Sequence, residues 1–398
     1  MPKPRRVAFM LELEWSYKRH AGIFAGAQQY AQEQGWESTI DEFVTERLPV
    51  RRTKSLPYDG VISRASKKLA QRAGRLGLPV VNVWVGSPVR QQLPGVFTDF
   101  AAMGQMRAEH LLARGLRRFA AFGTGDYGSR LELAAFQATV REAGFPCIPA
   151  SVTVNALQSY VAWQKTEHRI DASMQQWQPP IGVFASYEFN GRQVAQMCRH
   201  RGWRVPHDVA IVAGQNEESH CEHPRPSLTS VECGYERIGY QAARLLDRLM
   251  DEKQKRRRGK RKKEHKAPEH ILLPPVGIVA RRSTDFHAVD DETLQRVLRY
   301  VDENLKNRLT IDELADVVAI SRSTLTSLFR ENLGCGVAAE IKRLRIERVK
   351  RALTGSDQPI QQIAREVGFG SPRTLNDAFR SEVGCTPREY RKQLQAES

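Results

Sequence analysis

The residues of this 398-residue chain that could do chemistry are mostly dispersed. Its cysteines (Cys147, Cys198, Cys221, Cys233, Cys335, Cys385) form no CxxC pair, and no Cys/His cluster has zinc spacing. They read as buried or surface thiols in a reducing compartment, so no metal and no other cofactor is expected. His20, His110, His168 and His200 are isolated, and His220 and His223 lie near Cys221 without completing a ligand set. GxSxG and P-loop patterns are both missing, so the chain is not expected to be an enzyme. What remains is recognition: side chains that hydrogen-bond, stack and pair.

The clearest recognition pattern is near the carboxyl end, where two segments repeat one plan. Each has a short helix (Ile311–Val318; Ile360–Val367) with a small residue, Ala315 or Ala364, on its inner face. A turn follows, then a serine able to cap the next helix, Ser321 or Ser371. Leu and Phe come four and eight residues after each serine (Leu325 and Phe329; Leu375 and Phe379), which places one apolar stripe on the core side. The small alanine lets the helices approach closely. The outer face of the second helix stays free to enter a major groove, so the units at about 309–334 and 358–383 read as helix-turn-helix motifs. The sequence from Ala338, with Ile341, Leu344, Ile346, Val349 and Leu353, reads as a rigid helix spacing the two units about one DNA turn apart.

This part, roughly Asp290 to Arg391, resembles the AraC family of transcription regulators. The likeness is strongest at IAREVGF and at GCTPREYR, where Thr386, Pro387, Tyr390 and Arg391 fit the family ending. It implies base-reading positions early on each recognition helix: Ser323, Thr326 and Ser327 on the first; Pro372, Arg373, Thr374, Asn376 and Asp377 on the second. Arg322, Arg330 and Arg380 complete the expected DNA face. Arg373 suits a bidentate contact to guanine and Asn376 a contact to adenine. Pro372 carries no donor and suits the first helical turn.

The first 250 residues alternate apolar runs (VAFMLEL, DGVIS, PVVNVWV, FAAFG, IGVFA, VAIVAG) with helical stretches at Ile23–Gln34, Met103–Arg114, Arg130–Ala143, Gly191–Arg201 and Ile238–Met250. Alternation of this kind argues for parallel α/β sheets, and the length suits two lobes. YDGVI, PVVNV, TDFAAMGQMRAEHLLARGLRRFAAFG, RVPHDVAIVAG, PSLTSVE and RIGYQAARLLDRLM together resemble the LacI-type periplasmic-binding-protein fold across most of Arg5 to Met250. That resemblance implies two lobes joined by three crossovers, with a sugar in the cleft beyond the carboxyl ends of the strands. LacI-type regulators carry their DNA-reading head at the amino end. Here the first strand opens the chain, so the C-terminal domain is expected to supply the head.

The expected architecture is thus a two-lobed α/β sensor over residues 1–285, its parallel sheets flanked by helices, followed by an all-α DNA-binding domain over 286–398. Sensor then AraC-type head is the order of xylose-operon regulators, which ILLPPVGIVARRSTD and QNEE (Gln215–Glu218) also resemble. The likeness implies a sequence-specific regulator of sugar-catabolic genes, an activator, with repression left open. It implies promoter direct repeats as the DNA, a homodimer, and RNA polymerase as a partner.

A sugar pocket needs aromatic faces for C–H surfaces and planar polar groups for hydroxyl pairs. Candidates follow the strands: Trp15, Tyr17, Lys18 and Arg19; Trp84; Asp99; Tyr187, Glu188 and Asn190; Gln215 and Asn216. Lys18 and Gln215 stand where the pattern leads us to expect aspartates, and Glu188 stands where it places an Asp. An Asp is the strong acceptor for a hydroxyl pair. Xylose is therefore one option, beside another sugar or a charged derivative attracted by Lys18 and Arg19.

A net charge of +16 suggests a polyanionic partner. However, KQKRRRGKRKKEHK (Lys253–Lys266) holds ten Lys/Arg against one Glu, while Asp290 onward holds 18 Lys/Arg and 17 Asp/Glu. Most of the excess is one insertion at about 251–270, expected to be a mobile loop, where it adds phosphate affinity or is a solvated surface. No apolar run approaches the roughly 18 residues a membrane span needs, and Glu12 and Glu14 break the apolar start, so no signal peptide or membrane partner is expected and the location is cytoplasmic.

Overall fold

The computed structural model describes residues 3–15, 17–51, 55–151, 159–257, 267–286, 291–355 and 358–396. The first lobe runs β1 (Arg6–Met10), α1 (Lys18–Glu33), β2 (Glu37–Ile40), α2 (Val44–Arg47), β3 (Gly60–Ser63), α3 (Lys67–Leu76), β4 (Val80–Asn82) and β5 (Gly95–Thr98). Helix α4 (Phe100–Leu112) leads to the second lobe: β6 (Phe119–Gly123), α5 (Tyr127–Glu142), β7 (Cys147–Ser151), α6 (Tyr160–Met174), β8 (Ile181–Ala185), α7 (Glu188–His200), β9 (Val209–Ala213), α8 (Glu218–Glu222) and β10 (Ser230–Glu232). Helix α9 (Tyr235–Arg257) and β11 (His270–Leu273) return to the first lobe, and β12 (Gly277–Val279) pairs antiparallel with β10. The chain therefore passes between the lobes three times.

The first sheet has the order β11-β5-β4-β3-β1-β2 and the second β7-β6-β8-β9, with every neighbouring pair parallel. All five residues of β6, β8 and β9 are buried, because helices cover both faces of a parallel sheet. That is why these strands read as unbroken apolar runs. Edge strand β2 (ESTI) is mostly exposed and carries no such signal.

Helices α1 and α9 touch backbone to backbone. A Cβ on Gly26 would lie 1.8 Å from the Glu236 carbonyl oxygen, and one on Gly239 would lie 1.9 Å from that of Ile23. This approach sets the amino ends of both helices side by side at the mouth between the lobes.

Two expectations need correction. The charged stretch from Asp251 does not begin a loop: α9 continues through Arg257. Glu252–Arg257 consists of good helix formers, and Arg5 ties the helix by pairing with both Asp247 and Asp251. The rest of the basic run, 258–266, lies outside the described residues. The domain boundary also moves. Phe286 buries against Ala210, Val212 and Phe184 in the second lobe, so residue 286 belongs with the α/β part.

The helical domain comprises α10 (Glu292–Asn304), α11 (Ile311–Val318), α12 (Arg322–Leu333), α13 (Val337–Gly355), α14 (Ile360–Val367), α15 (Pro372–Val383) and α16 (Pro387–Ala396). It has two cores that share α13. Val337, Ile341 and Leu344 pack with α10, α11 and α12, while Ile346, Val349 and Leu353 pack with α14, α15 and α16. One helix with two successive apolar stripes therefore fixes the two units relative to each other.

Candidate functional site

A cleft of about 550 Å³, counting its open mouth, lies between the lobes at the carboxyl ends of the strands. The first lobe contributes Leu11 after β1, Arg64 after β3, Trp84 after β4 and Phe100 after β5. The second contributes Gln215 after β9, and α1 and α9 contribute Arg19, His20, Ile23, Tyr235 and Ile238. Apolar walls carrying a few polar groups are the usual composition of a small-molecule site.

The turn after β1 builds one wall. Glu12 adopts φ +57°, a region few non-glycine residues enter, and its carbonyl oxygen accepts from Trp15 N at 3.1 Å. The Leu11 and Leu13 amides both donate to Glu42 Oε1, at 3.1 and 3.2 Å. The Glu12 carboxylate pairs with Arg64. The Arg64 guanidinium lies 4.9 Å from the Trp84 ring centroid and 5.9 Å from that of Trp15, and burial lowers its pKa. Arg19 lies over Tyr17, 5.0 Å from its centroid. His20 is buried, with Nδ1 2.8 Å from the Glu12 carbonyl oxygen; desolvation, helped by Arg19, pushes its pKa down to about 4.

The residues expected from sequence divide into two groups. Arg19, Trp84 and Gln215 line the cleft, and Trp15 and Tyr17 stand half-exposed beside it. The others hold the frame. Lys18 Nζ donates to Glu232 at 2.6 Å, so its charge is neutralised rather than offered to a ligand. One Asp99 oxygen caps α4 by accepting from Ala102 N at 3.0 Å. Tyr187 OH donates to Asp126 at 3.2 Å, and Asn190 to Gln193 at 3.3 Å. Glu188 Oε1 accepts from the amides of Gln215 (2.6 Å) and Glu217 (3.0 Å), which shapes the loop after β9. Arg64, His20 and Tyr235 were not expected. Arg64 directly follows a strand already read from its apolar run, so the strand-end rule applied once more would have found it.

Asn216, at φ +61°, opens a polar path away from the cleft. Its Nδ2 donates to Glu232 at 2.8 Å, and its Oδ1 accepts from Arg281 Nη2 at 2.7 Å. Arg281 also donates to Glu222 (2.5 Å), Ser230 Oγ (2.8 Å) and the Leu228 carbonyl (3.1 Å). Two residues on, Ser283 Oγ donates to the Ile211 carbonyl at 2.5 Å. Arg282 lies 4.0 Å from Asp302 of α10. The segment leaving the lobes is thus fastened to the β9 loop on one side and reaches the helical domain on the other.

Beneath the cleft, buried Arg107 lies 3.0 Å from Glu132, whose pKa desolvation pushes up to about 8 against the pull of that guanidinium. Arg107 also donates to the carbonyls of Ala185 (3.0 Å) and Gly214, the carboxyl ends of β8 and β9. Burial raises the thiol pKa to about 12 for Cys147, Cys198 and Cys233, which makes them poor nucleophiles. No metal-holding group of His, Cys, Asp and Glu occurs among the described residues.

The second candidate surface is the pair of helices α12 and α15. Ser321 Oγ accepts from Thr324 N and Ser371 Oγ from Thr374 N, each at 3.1 Å. Leu325, Phe329, Leu375 and Phe379 are fully buried on the inner faces. Arg322, Ser323, Ser327, Arg330, Pro372, Arg373, Thr374, Asn376, Asp377 and Arg380 are exposed, and Thr326 is half-buried. Thr326 Oγ1 donates to the Arg322 carbonyl at 2.8 Å, and Arg322 lies 3.6 Å from Asp312. The side chains of Arg373, Asn376 and Arg380 make no hydrogen bond or ion pair among the described residues. The GCTPREYR ending is also explained: Thr386 and Glu389 form a reciprocal cap, Tyr390 packs 5.5 Å from the Phe379 ring, and Arg391 donates to the Gln358 carbonyl at 2.7 Å.

Two family models match the chain: a periplasmic binding protein-like domain over residues 108–284 and a helix-turn-helix domain over residues 314–393. The Xylose operon regulatory protein of Escherichia coli is 28% identical over 98% of this chain and 97% of its own length. The protein of the same name from Haemophilus influenzae is 26% identical over 97% and 98%. Among solved structures, the xylose-binding transcription activator XylR matches with a TM-score of 0.68 and 26% identity, covering 98% of each chain. The complex of the transcriptional regulator CelR with cellobiose shares the fold, with a TM-score of 0.53 and 22% identity over 71% of this chain and 86% of that one. No helix among the described residues is long and apolar enough to cross a membrane.

Proposed function

We propose a mechanism for this xylose-operon-regulator-like transcription factor, in which a LacI-type, periplasmic-binding-protein-like sensor is fused to an AraC-type DNA-binding domain: a sugar held between the lobes sets how α12 and α15 meet DNA. The observation that carries the reading is their combination on one chain. A cleft at strand ends and two capped helices with bare outer faces are joined by the anchored segment Arg281–Thr284.

Closing the lobes around a ligand moves the β9 loop, and Asn216 hands that movement to Arg281. A ligand shifts the balance only as far as it binds one state better than the other. The effector is xylose or a related sugar, and the output is activation of sugar-catabolic genes. Two copies, paired through their sensors, would set four recognition helices on promoter direct repeats and present a surface to RNA polymerase. The chain works in the cytoplasm and turns nothing over.

The reading is tested on the full chain by selection from random duplexes together with a thermal-shift screen of pentoses and hexoses. The expected result is one enriched sequence with two half-sites, and a melting temperature that rises with the concentration of at least one sugar. Recovery of unenriched duplexes would overturn the DNA assignment.

A further inference from the structure

We infer that the cleft is built for an anionic, hydroxylated effector, a polyhydroxy carboxylate of the sugar-acid kind, with Arg19 and Arg64 holding its charge and His20 accepting one of its hydroxyls. The inference rests on the sugar-regulator reading above and narrows its ligand.

The first support is what the lining lacks. No Asp or Glu lines the cavity among the described residues. Acids nearby are engaged elsewhere: Glu188 by two loop amides, Glu232 by Lys18 and Asn216, and one oxygen of Asp99 by the α4 cap. A neutral sugar presents hydroxyl hydrogens, and an ionised carboxylate is the side chain that only accepts. None lines this cleft among the described residues.

The second support is what the lining has. Two guanidiniums reach the wall, and one acid, Glu12, pairs with one of them. Arg19 forms no ion pair among the described residues and is held only over the Tyr17 face. The wall therefore keeps an unbalanced positive charge, presented by side chains whose planar fork matches a carboxylate.

The third support is His20, which is 2% exposed. Its Nδ1 faces the Glu12 carbonyl oxygen at 2.8 Å, and a carbonyl oxygen can only accept, so Nδ1 carries the hydrogen. With burial and Arg19 keeping the ring neutral, Nε2 is left as a lone pair. That atom is buried and has no partner, on a residue that lines the cavity. A ligand hydroxyl donating to it would complete the site. Trp84, Phe100 and Ile23 then supply apolar walls for C–H faces.

A carboxylate fits better than a phosphate. The amide of Lys18, the first residue of α1, is a natural phosphate seat, but it already donates to Glu217 at 3.1 Å. The single surplus charge also suits a monoanion.

The experiment is thermal shift and calorimetry on the full chain with matched probes: D-xylose against D-xylonate, D-glucose against D-gluconate and D-glucuronate, and glucose 6-phosphate. Each is run on the wild type and on Arg19→Gln and His20→Gln, whose ligand-free melting curves check folding. The expected result is that one acid binds at least tenfold more tightly than its neutral parent. Arg19→Gln removes that preference, and His20→Gln weakens binding of the acid. Neutral sugars binding as well as their acids, or the phosphate binding best, overturns the assignment and leaves the sugar-regulator reading intact. No response to any probe overturns both.

Discussion

At the level of single residues, the two surfaces divide labour between side chains that recognise and side chains that hold. The side chains of Arg373 and Asn376 stand exposed on α15 and make no hydrogen bond or ion pair among the described residues, which leaves them for base edges. Replacing Arg373 by alanine should lower affinity for the selected site by about 10- to 100-fold, the usual worth of a bidentate guanine contact, while leaving non-specific binding nearly unchanged. Equal losses on every sequence, seen in competition gel shifts, would make Arg373 a phosphate contact. Thr326 is a weaker candidate reader because its hydroxyl already bonds to the Arg322 carbonyl. His110 supports a pH prediction. Its Nε2 lies 2.9 Å from Thr284 Oγ1, and burial pushes its pKa down to about 3. An unfolded histidine takes up a proton near pH 6.5, whereas this one stays neutral in the fold. Its contribution is therefore complete above about pH 6.5 and is lost as pH falls through the window below. Between pH 7.5 and 5 the melting temperature should fall more steeply for the wild type than for His110→Gln; parallel curves would contradict this.

At the level of elements, positions are set by backbone contacts that leave little trace in a linear pattern. Helices α11, α14 and the start of α15 coincide with the sequence reading because caps and apolar stripes are local signals. Strand β2 and helix α6 were not read, since an exposed edge strand and a weakly amphipathic surface helix carry little periodic contrast. For the cleft, strand ends pointed to the right loops but not to the role of each side chain. Asn216, Glu188 and Lys18 sit where a ligand residue is expected, yet partners distant in sequence claim them. Arg107 is the most consequential holder, because one guanidinium fixes the ends of both β8 and β9. Arg107→Met should cost roughly 1–3 kcal/mol by leaving the buried Ala185 and Gly214 carbonyls without their donor. Denaturant unfolding of the full chain measures it, and a cost under about 1 kcal/mol would contradict the role. The helix-turn-helix turns make a second case. Gly368 takes φ +89° and would put a Cβ 2.3 Å from the Leu305 carbonyl oxygen. Gly368→Ala should therefore destabilise the domain by at least about 1 kcal/mol, read from the same denaturation curves. Ala319, at φ +57° in the equivalent turn of the first unit, should accept glycine without loss.

At the level of the whole molecule, the account turns on transmission from cleft to helices. Asn216 and Arg281 form the joint between the β9 loop and the exit segment, and Arg281 is almost fully buried in its hydrogen bonds. Arg281→Ala in a chain that still folds should keep effector affinity within a few-fold while flattening the response of DNA binding to effector. Retention of the full response would remove this joint from the mechanism. The decisive measurement is the affinity of the intact chain for its selected duplex, followed by fluorescence anisotropy at fixed salt, with and without a saturating effector found by thermal shift. The account predicts a change of at least tenfold, about 1.4 kcal/mol of coupling. Identical binding curves with and without effector, while the effector demonstrably occupies the cleft, would contradict it.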